Sequence, residues 1–230
     1  MSHISRRAFL GAASAALWAA PASRAFSAAD TGRPNIVFIL IDDMGWPDTG
    51  CYGNRFNETP HIDALAAQGM RFTDAYAACP VCSPTRASIM AGQYPARVGI
   101  TDFIPGHQRP WAKLQVPVNR TQHLPLEIVT VAESLQAAGY TCGHFGKWHL
   151  GGRDHFPDVQ GFDSWRVVEG RHFKFTTVPP MDVGEDAYLA EFLTEHAEVF
   201  LEQNRARPFF LYLAHFAVHV PIEARQELVE

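Results

Sequence analysis

Three largely apolar runs stand out along the chain, at residues 35–41, 140–145 and 209–213. Such runs, rich in β-branched and aromatic residues, are typical of strands that are buried on both faces of a parallel sheet. Helical patterns precede the second and third runs, over 130–139 and from about 186 to 204. This alternation predicts an α/β fold, with a mainly parallel central sheet and helices on both faces.

Local signals mark two helix starts. Thr130 and Glu133 have the spacing of a capping box, in which each residue satisfies a free amide of the other. A further helix is predicted over 60–68, with Ile62 and Leu65 on the face that packs inward. We assign this second helix an architectural role and no chemistry.

Each apolar run stops at polar residues that are able to do chemistry. Asp42 and Asp43 follow the first run, Lys147 and His149 the second, and His215 and His219 the third. Taken singly, these are ordinary solvated turns or core histidines. Ligands of parallel sheets bind beyond the carboxyl ends of the strands, however, so the three ends together predict one site. Two adjacent carboxylates repel each other, and Ca²⁺ or Mg²⁺ would relieve that repulsion.

A short segment between the first two runs has the features of an anion site. Pro84 suits the first turn of a helix, which places Cys82 just before its N-terminus, where free amides favour anions. Arg86 adds a planar cationic fork. Cys79 and Cys82 are also spaced as a redox pair or as half of a zinc site, and the residues alone leave these alternatives open.

Composition narrows the class of protein. The 230 residues are 47% hydrophobic, and 19 Lys and Arg stand against 24 Asp and Glu, for a net charge of −5. A nucleic-acid-binding protein would carry a basic surplus, and a disordered chain would have fewer apolar residues. Four cysteines are too few for a disulfide scaffold of this length. The composition therefore indicates a globular domain with a substantial core.

The N-terminus has the composition of an export signal. Residues 1–29 contain no Asp or Glu, and Arg6-Arg7 precede a short apolar stretch over 11–20 that is too short to span a bilayer. The paired arginines resemble a twin-arginine signal, which implies the twin-arginine export machinery and cleavage after Ala25 or slightly later. The expected location is the bacterial periplasm or the medium, with no stable membrane span. An amphipathic N-terminal helix is the alternative.

The segment Cys82-Ser83-Pro84-Thr85-Arg86 resembles the Cys-x-Pro-x-Arg signature of type I sulfatases, which belong to the alkaline-phosphatase-like superfamily. The resemblance extends in family order from Pro34 to Pro221. It implies an alkaline-phosphatase-like sulfatase fold for residues 30–230. It also implies that a formylglycine-generating enzyme oxidises Cys82 to formylglycine, and that the reaction is hydrolysis of a sulfate ester, either a small molecule or a glycan.

The resemblance also implies roles for the site residues. Asp42, Asp43 and the modified Cys82 would be ligands of Ca²⁺ or Mg²⁺. The remaining roles fall to basic side chains. Arg86 would position the nucleophile, Lys147 would bridge it to the sulfate oxygens, and His149 would orient or deprotonate it. His219 would be the acid near the leaving oxygen, with His215 as the weaker alternative.

Two rival functions remain open. One is a phosphonate or phosphodiester hydrolase of the same superfamily, which can use the same nucleophile. The other is a truncated, inactive fragment, because family members supply further metal ligands and a second lysine downstream, and none follows an apolar strand before Glu230. The chain alone is therefore expected to lack sulfatase turnover. Substrate specificity is expected to reside partly in loops 101–126 and 151–185.

Overall fold

A computed structural model describes residues 32–107, 109–114 and 118–229. Within these ranges the strands are β1 (Ile36–Ile41), β2 (Thr141–Gly146), β3 (Ser164–Glu169), β4 (Thr176–Val178) and β5 (Phe209–His215). The helices are α1 (Pro60–Gln68), α2 (Cys82–Ala91), α3 (Pro95–Val98), α4 (Val131–Ala137) and α5 (Leu189–Asn204). Short 3₁₀ turns lie at Trp46–Asp48, Gly50–Tyr52, Arg153–His155, Pro157–Gln160 and Gln226–Leu228.

The five described strands form one sheet in the order β1-β5-β2-β3-β4. All neighbours are parallel except β3 and β4, which are antiparallel. The predicted mainly parallel sheet is therefore confirmed, and the three predicted strands lie side by side in it. The segment 151–185, expected to be a loop, instead contributes β3 and β4. Only Val167 and Val168 are buried in β3, so its apolar signal in the sequence is weak.

Helices cover both faces of the sheet, as predicted. Alternate residues of β5 point to opposite faces, which gives two cores. Phe210, Tyr212 and Ala214 share one core with buried residues of α2 and α4. Phe209, Leu211 and Leu213 share the other with α5, which supplies Leu189, Leu193, Ala197 and Phe200.

The helix boundaries correct two details of the sequence prediction. The capping box is present, since Thr130 Oγ1 accepts from the Glu133 amide at 3.1 Å and Glu133 Oε2 accepts from the Thr130 amide at 2.7 Å. Helix α5 begins at Leu189 rather than near residue 186. The sequence predicts that Cys82 lies just before the N-terminus of α2, and this prediction is wrong. Cys82 is the first helical residue, so Pro84 takes the third position, where its missing N–H still costs no helical hydrogen bond.

Two predicted buried faces are exposed. Ile62 and Leu65 of α1 do not pack inward, and Leu65 is 68% exposed. On β1, Val37 and Ile39 are about half exposed, so this strand is not buried on both faces. The reason is the position of α5, which packs on β5 and β2. In the described part of the chain, the adjacent face of β1 has no covering helix.

Two predictions concern export and membranes. The export signal predicted over residues 1–29 lies outside the described residues. Within the described ranges, none of the helices has both the length and the apolar character needed to cross a membrane.

A buried histidine sits in the larger core. His144 is fully buried on β2, and the ring centres of Trp148, Phe162 and Tyr212 lie 5.1 to 5.4 Å from its own ring centre. Burial, reinforced by the positive charge of Arg86, lowers the pKa of His144 to about 3. The imidazole is therefore neutral in the folded protein at every pH near neutrality.

Replacing Gly146 should break the junction of β2 and β5. Its φ is +127°, and an added Cβ would lie 1.8 Å from the carbonyl oxygen of Ala214, which accepts from the Lys147 amide. We expect Gly146→Ala to lower the free energy of unfolding by about 3 kcal/mol or more, from steric overlap and backbone strain together. Gly184→Ala is the control, because a Cβ there meets nothing within 4 Å. Urea unfolding that showed equal losses for both variants would contradict this assignment.

His144 should make the folded state sensitive to acid. The unfolded chain binds a proton on this side chain near pH 6.5, whereas the folded chain binds it only near pH 3. The stability that His144 contributes is therefore complete above pH 6.5 and falls as the pH is lowered. We expect His144→Phe to reduce the slope of unfolding free energy against pH, between about pH 4 and pH 6, by about 1.4 kcal/mol per pH unit. Unchanged slopes in denaturant titrations at several pH values would contradict the neutral buried state.

Candidate active site

The site lies along the carboxyl edge of the sheet, where the predicted residues meet. Asp42 and Asp43 follow β1, Lys147 follows β2, and His215 ends β5 opposite Ile41. The parallel register therefore brings the three strand ends together, as the sequence predicts. Helix α2 packs in the core beneath this edge and carries Arg86 towards it.

A buried charge cluster forms the floor of the site. Lys147 Nζ donates to Asp42 Oδ2, and Arg86 Nη2 lies 3.4 Å from Asp42 Oδ1. Arg86 is 1% exposed and its Nη1 also donates to the Lys147 carbonyl at 2.7 Å. Two cations thus share one carboxylate, and the cluster carries an excess positive charge in a poorly solvated place. That arrangement favours an anion at the open side of the cluster.

Asp43 and His219 lie at the rim. Asp43 has a φ of +62°, an uncommon conformation for a residue with a side chain, and it turns the chain sharply after β1. Its side chain is 56% exposed, and its Oδ2 lies 3.7 Å from His219 Nε2. The Nδ1–H of His219 donates to the Val220 carbonyl at 2.6 Å, which leaves Nε2 as the nitrogen that faces the site.

Cys82 shares a cavity with these carboxylates. A cavity of about 540 Å³ is lined by residues of β1 and α2 and of the segments next to them, among them Asp42, Asp43, Cys79, Cys82 and Arg86. Cys79 and Cys82 are both free thiols in the structure. Because Cys82 opens α2, it stands where the helix presents unpaired amides, next to the charge cluster.

His149 is held in one orientation by a backbone carbonyl. It has a φ of +57°, and its Nε2–H donates to the Ile104 carbonyl at 2.6 Å. The Ile104 amide in turn donates to Ser83 Oγ at 3.0 Å, which ties this loop to the residue next to Cys82. Burial is the main cause that lowers the pKa of His149, and the charges of Lys147 and Arg86 act in the same direction. The ring is therefore neutral near pH 7, with Nδ1 available as a proton acceptor.

His149 and Lys147 also line a second, smaller cavity. It has a volume of about 250 Å³, and Glu169 at the end of β3 and Phe216 after β5 form parts of its wall. Lys147 Nζ lies 5.3 Å from the ring centre of Phe216, within the range of a cation–π contact. His215 lies at the same edge, and burial lowers its pKa.

The carboxylates match a hard cation in donor type but not in number. Asp42 and Asp43 offer oxygens of the kind that Ca²⁺ and Mg²⁺ prefer, and both face the larger cavity. Both oxygens of Asp42 are engaged with Lys147 and Arg86. Among the described residues, no cluster of three or more His, Cys, Asp or Glu side chains is arranged to hold a metal. Two carboxylates fall short of the six or more oxygens that such an ion takes.

Several contributors to the site were absent from the sequence prediction. Ile104 acts through its backbone carbonyl, which no residue pattern reveals. Ser83 occupies a variable position of the signature, and Phe216 is one more aromatic residue after an apolar run. For Phe216 the available signal was its place between the predicted residues His215 and His219.

Comparisons with known proteins identify the family. A family model described as Sulfatase matches residues 34–230. Arylsulfatase A of Homo sapiens is 36% identical over 86% of this chain and 43% of its own, and N-acetylgalactosamine-6-sulfatase of Rattus norvegicus is 34% identical over 85% and 41%. The chain thus spans about two fifths of the length of these relatives.

Solved structures agree with the sequence comparison. Ps i-CgsB in complex with k-i-k-neocarrahexaose superimposes with a TM-score of 0.71 at 30% identity, over 85% of this chain and 47% of the other. BT4656 in complex with its substrate D-glucosamine-2-N,6-O-disulfate gives 0.66 at 28% identity, over 82% and 35%. The range that the family model matches, 34–230, includes the residues of the charge cluster, Cys82 and the histidines of the edge. The chain belongs to the sulfatase family.

Proposed function

We propose that the protein hydrolyses sulfate esters, with Cys82 as the precursor of the nucleophile. One observation carries the proposal: Cys82 opens α2 into the cavity that Asp42, Asp43 and Arg86 also line. Its relatives are named as sulfatases, and BT4656 was solved with a sulfated sugar as its substrate. The substrate class proposed for this protein is a sulfate ester of a sugar or of another small alcohol.

The nucleophile comes from a modification of the chain. Formylglycine at position 82, made by a formylglycine-generating enzyme, would supply a hydrated aldehyde whose hydroxyl attacks sulfur. His149 supports this role, because its neutral Nδ1 is free to take the hydroxyl proton. The Ile104 carbonyl holds the ring in the tautomer that leaves Nδ1 unprotonated.

The charges of the site match those of a sulfate ester in its transition state. Lys147 and Arg86 would stabilise negative charge on the sulfate oxygens, because they are fixed in place and poorly solvated before the substrate arrives. His219, as an imidazolium that carries a second proton on Nε2 at the rim, would protonate the departing alcohol oxygen. Asp42 and Asp43 would supply part of the oxygen ligands of a Ca²⁺ or Mg²⁺ ion, and such an ion, when bound, would supply further neutralisation of the sulfate charge.

The last part of the proposal concerns export of the protein. We infer that residues 1–29 direct the protein through the twin-arginine machinery to the bacterial periplasm or beyond. That route carries folded proteins, so conversion of Cys82 could be finished in the cytoplasm before export. Support for this part comes from the sequence of the N-terminus alone.

The modification is tested on the 230-residue chain by mass spectrometry. Co-expression with a formylglycine-generating enzyme should give a peptide in which the Cys82 CH₂–SH group has become an aldehyde. Cys82→Ala should abolish the aldehyde, and Cys79→Ala should retain it, although both thiols line the same cavity. Unmodified Cys82 in a preparation of the whole gene product that hydrolyses sulfate esters would overturn the assignment of the nucleophile.

The reaction is tested on the whole gene product that contains these residues, co-expressed with the converting enzyme and supplied with Ca²⁺. We expect hydrolysis of nitrophenyl sulfate, and loss of kcat by about 10²–10³-fold in Lys147→Ala, the size seen when one fixed transition-state donor is removed. Lys174→Ala is the control, since Lys174 is exposed. Faster hydrolysis of an aryl phosphonate than of the sulfate would favour the phosphonate hydrolase instead.

A further inference from the structure

The segment that carries His219 leaves β5 through a turn that is tied to β1. The Asp42 amide donates to the Ala217 carbonyl at 2.7 Å, and the Val218 amide donates to the Asp42 carbonyl at 2.6 Å. This pair of backbone bonds fixes the start of the turn relative to the charge cluster. It leaves the far side of the turn, at His219, to be held by another element.

That other element is the segment after β3. His172 is 3% exposed, and its Nε2–H donates to the His219 carbonyl at 2.9 Å. Its ring centre also lies 5.1 Å from that of Phe216. His172 is itself fixed, because its carbonyl accepts from the Leu189 amide at the start of α5 at 2.9 Å.

This partly buried hydrogen bond fixes the backbone from which the His219 ring projects, and the ring centre of His219 lies 5.0 Å from that of Phe216. The ring's Nδ1–H donates to the carbonyl of the next residue, Val220, so the ring follows the local backbone. If His172 lost its donor, the His219 carbonyl would lose its hydrogen-bond partner and the backbone would move to find another. The ring would then leave its place 3.7 Å from Asp43.

We infer that His172 is a positioning residue for His219, and that it sets the angle at which His219 reaches the leaving oxygen. This inference rests on the proposed function, in which His219 is the proton donor. His172 itself touches neither Cys82 nor the charge cluster in the contacts described above. A second tie joins the same two segments, since Arg171 Nη2 lies 2.6 Å from Glu223 Oε1, but this ion pair is largely exposed and contributes little.

Three variants of the whole gene product separate positioning from packing. His172→Phe keeps an aromatic ring against Phe216 but removes the donor. His172→Gln restores an N–H near the position of Nε2. His196→Phe is the matched control, because His196 also bonds to a backbone carbonyl, that of Phe192, but within α5 and away from the site.

The expected result depends on the leaving group. A misplaced acid matters most when the alcohol is a poor leaving group, so His172→Phe should lower kcat on a sugar sulfate by about 10²-fold. On nitrophenyl sulfate, whose phenolate leaves without protonation, it should lower kcat much less, with KM nearly unchanged. His172→Gln should recover most of the loss, and His196→Phe should show none. Equal losses on both substrates, or no recovery in His172→Gln, would overturn the inference.

A structural measurement separates this inference from the proposed function. In the 230-residue chain, NMR should show the ring signals of His219 shifted in His172→Phe and unshifted in His196→Phe. If the wild-type gene product fails to hydrolyse any sulfate ester but the shift is seen, the proposed function fails and the contact between His172 and His219 stands. Unshifted His219 signals in His172→Phe would overturn the positioning role whatever the activity.

Discussion

The structure of the site depends on one buried carboxylate. Asp42 accepts from Lys147 and faces Arg86, and these three side chains come from the end of β1, the end of β2 and the interior of α2. Removing one partner of a buried ion cluster leaves an uncompensated charge, which costs about 3–5 kcal/mol. The same contact therefore holds two strands and a helix in register and fixes two cations where an anion binds. The stability of the fold and the binding of an anion therefore both depend on the contacts of Asp42.

Around this cluster, backbone groups rather than side chains hold the histidines in place. The Ile104 carbonyl sets the tautomer of His149, and the Val220 carbonyl sets that of His219. Because a carbonyl only accepts, each imidazole must present its other nitrogen to the site. The course of two loops thus fixes which nitrogen each ring presents, Nδ1 for His149 and Nε2 for His219, and Asp43 Oδ2 lies 3.7 Å from the latter.

The sequence predicted the parts of this arrangement that are local. Asp42, Lys147 and His215 each lie within two residues of the end of an apolar run, and topology brings such ends together. It did not predict β3, in which few residues are buried, nor the start of α2 at Cys82, because cap position is the least certain part of a helix. His172 lay beyond sequence reasoning for another reason. Its partner is a backbone carbonyl 47 residues away. Because every residue has a backbone carbonyl, the amino-acid sequence does not show which one His172 bonds to.

Asp43 and His149 both adopt left-handed backbone conformations, two and three residues after the ends of β1 and β2. Each such conformation costs about 1 kcal/mol or more for a residue other than glycine. Because glycine would relieve this strain, laboratory selection for heat tolerance would favour substitution of these two residues by glycine. The gain would come at the expense of a carboxylate and an imidazole that the site uses. In this protein, a screen that scores only folding would select against the chemistry.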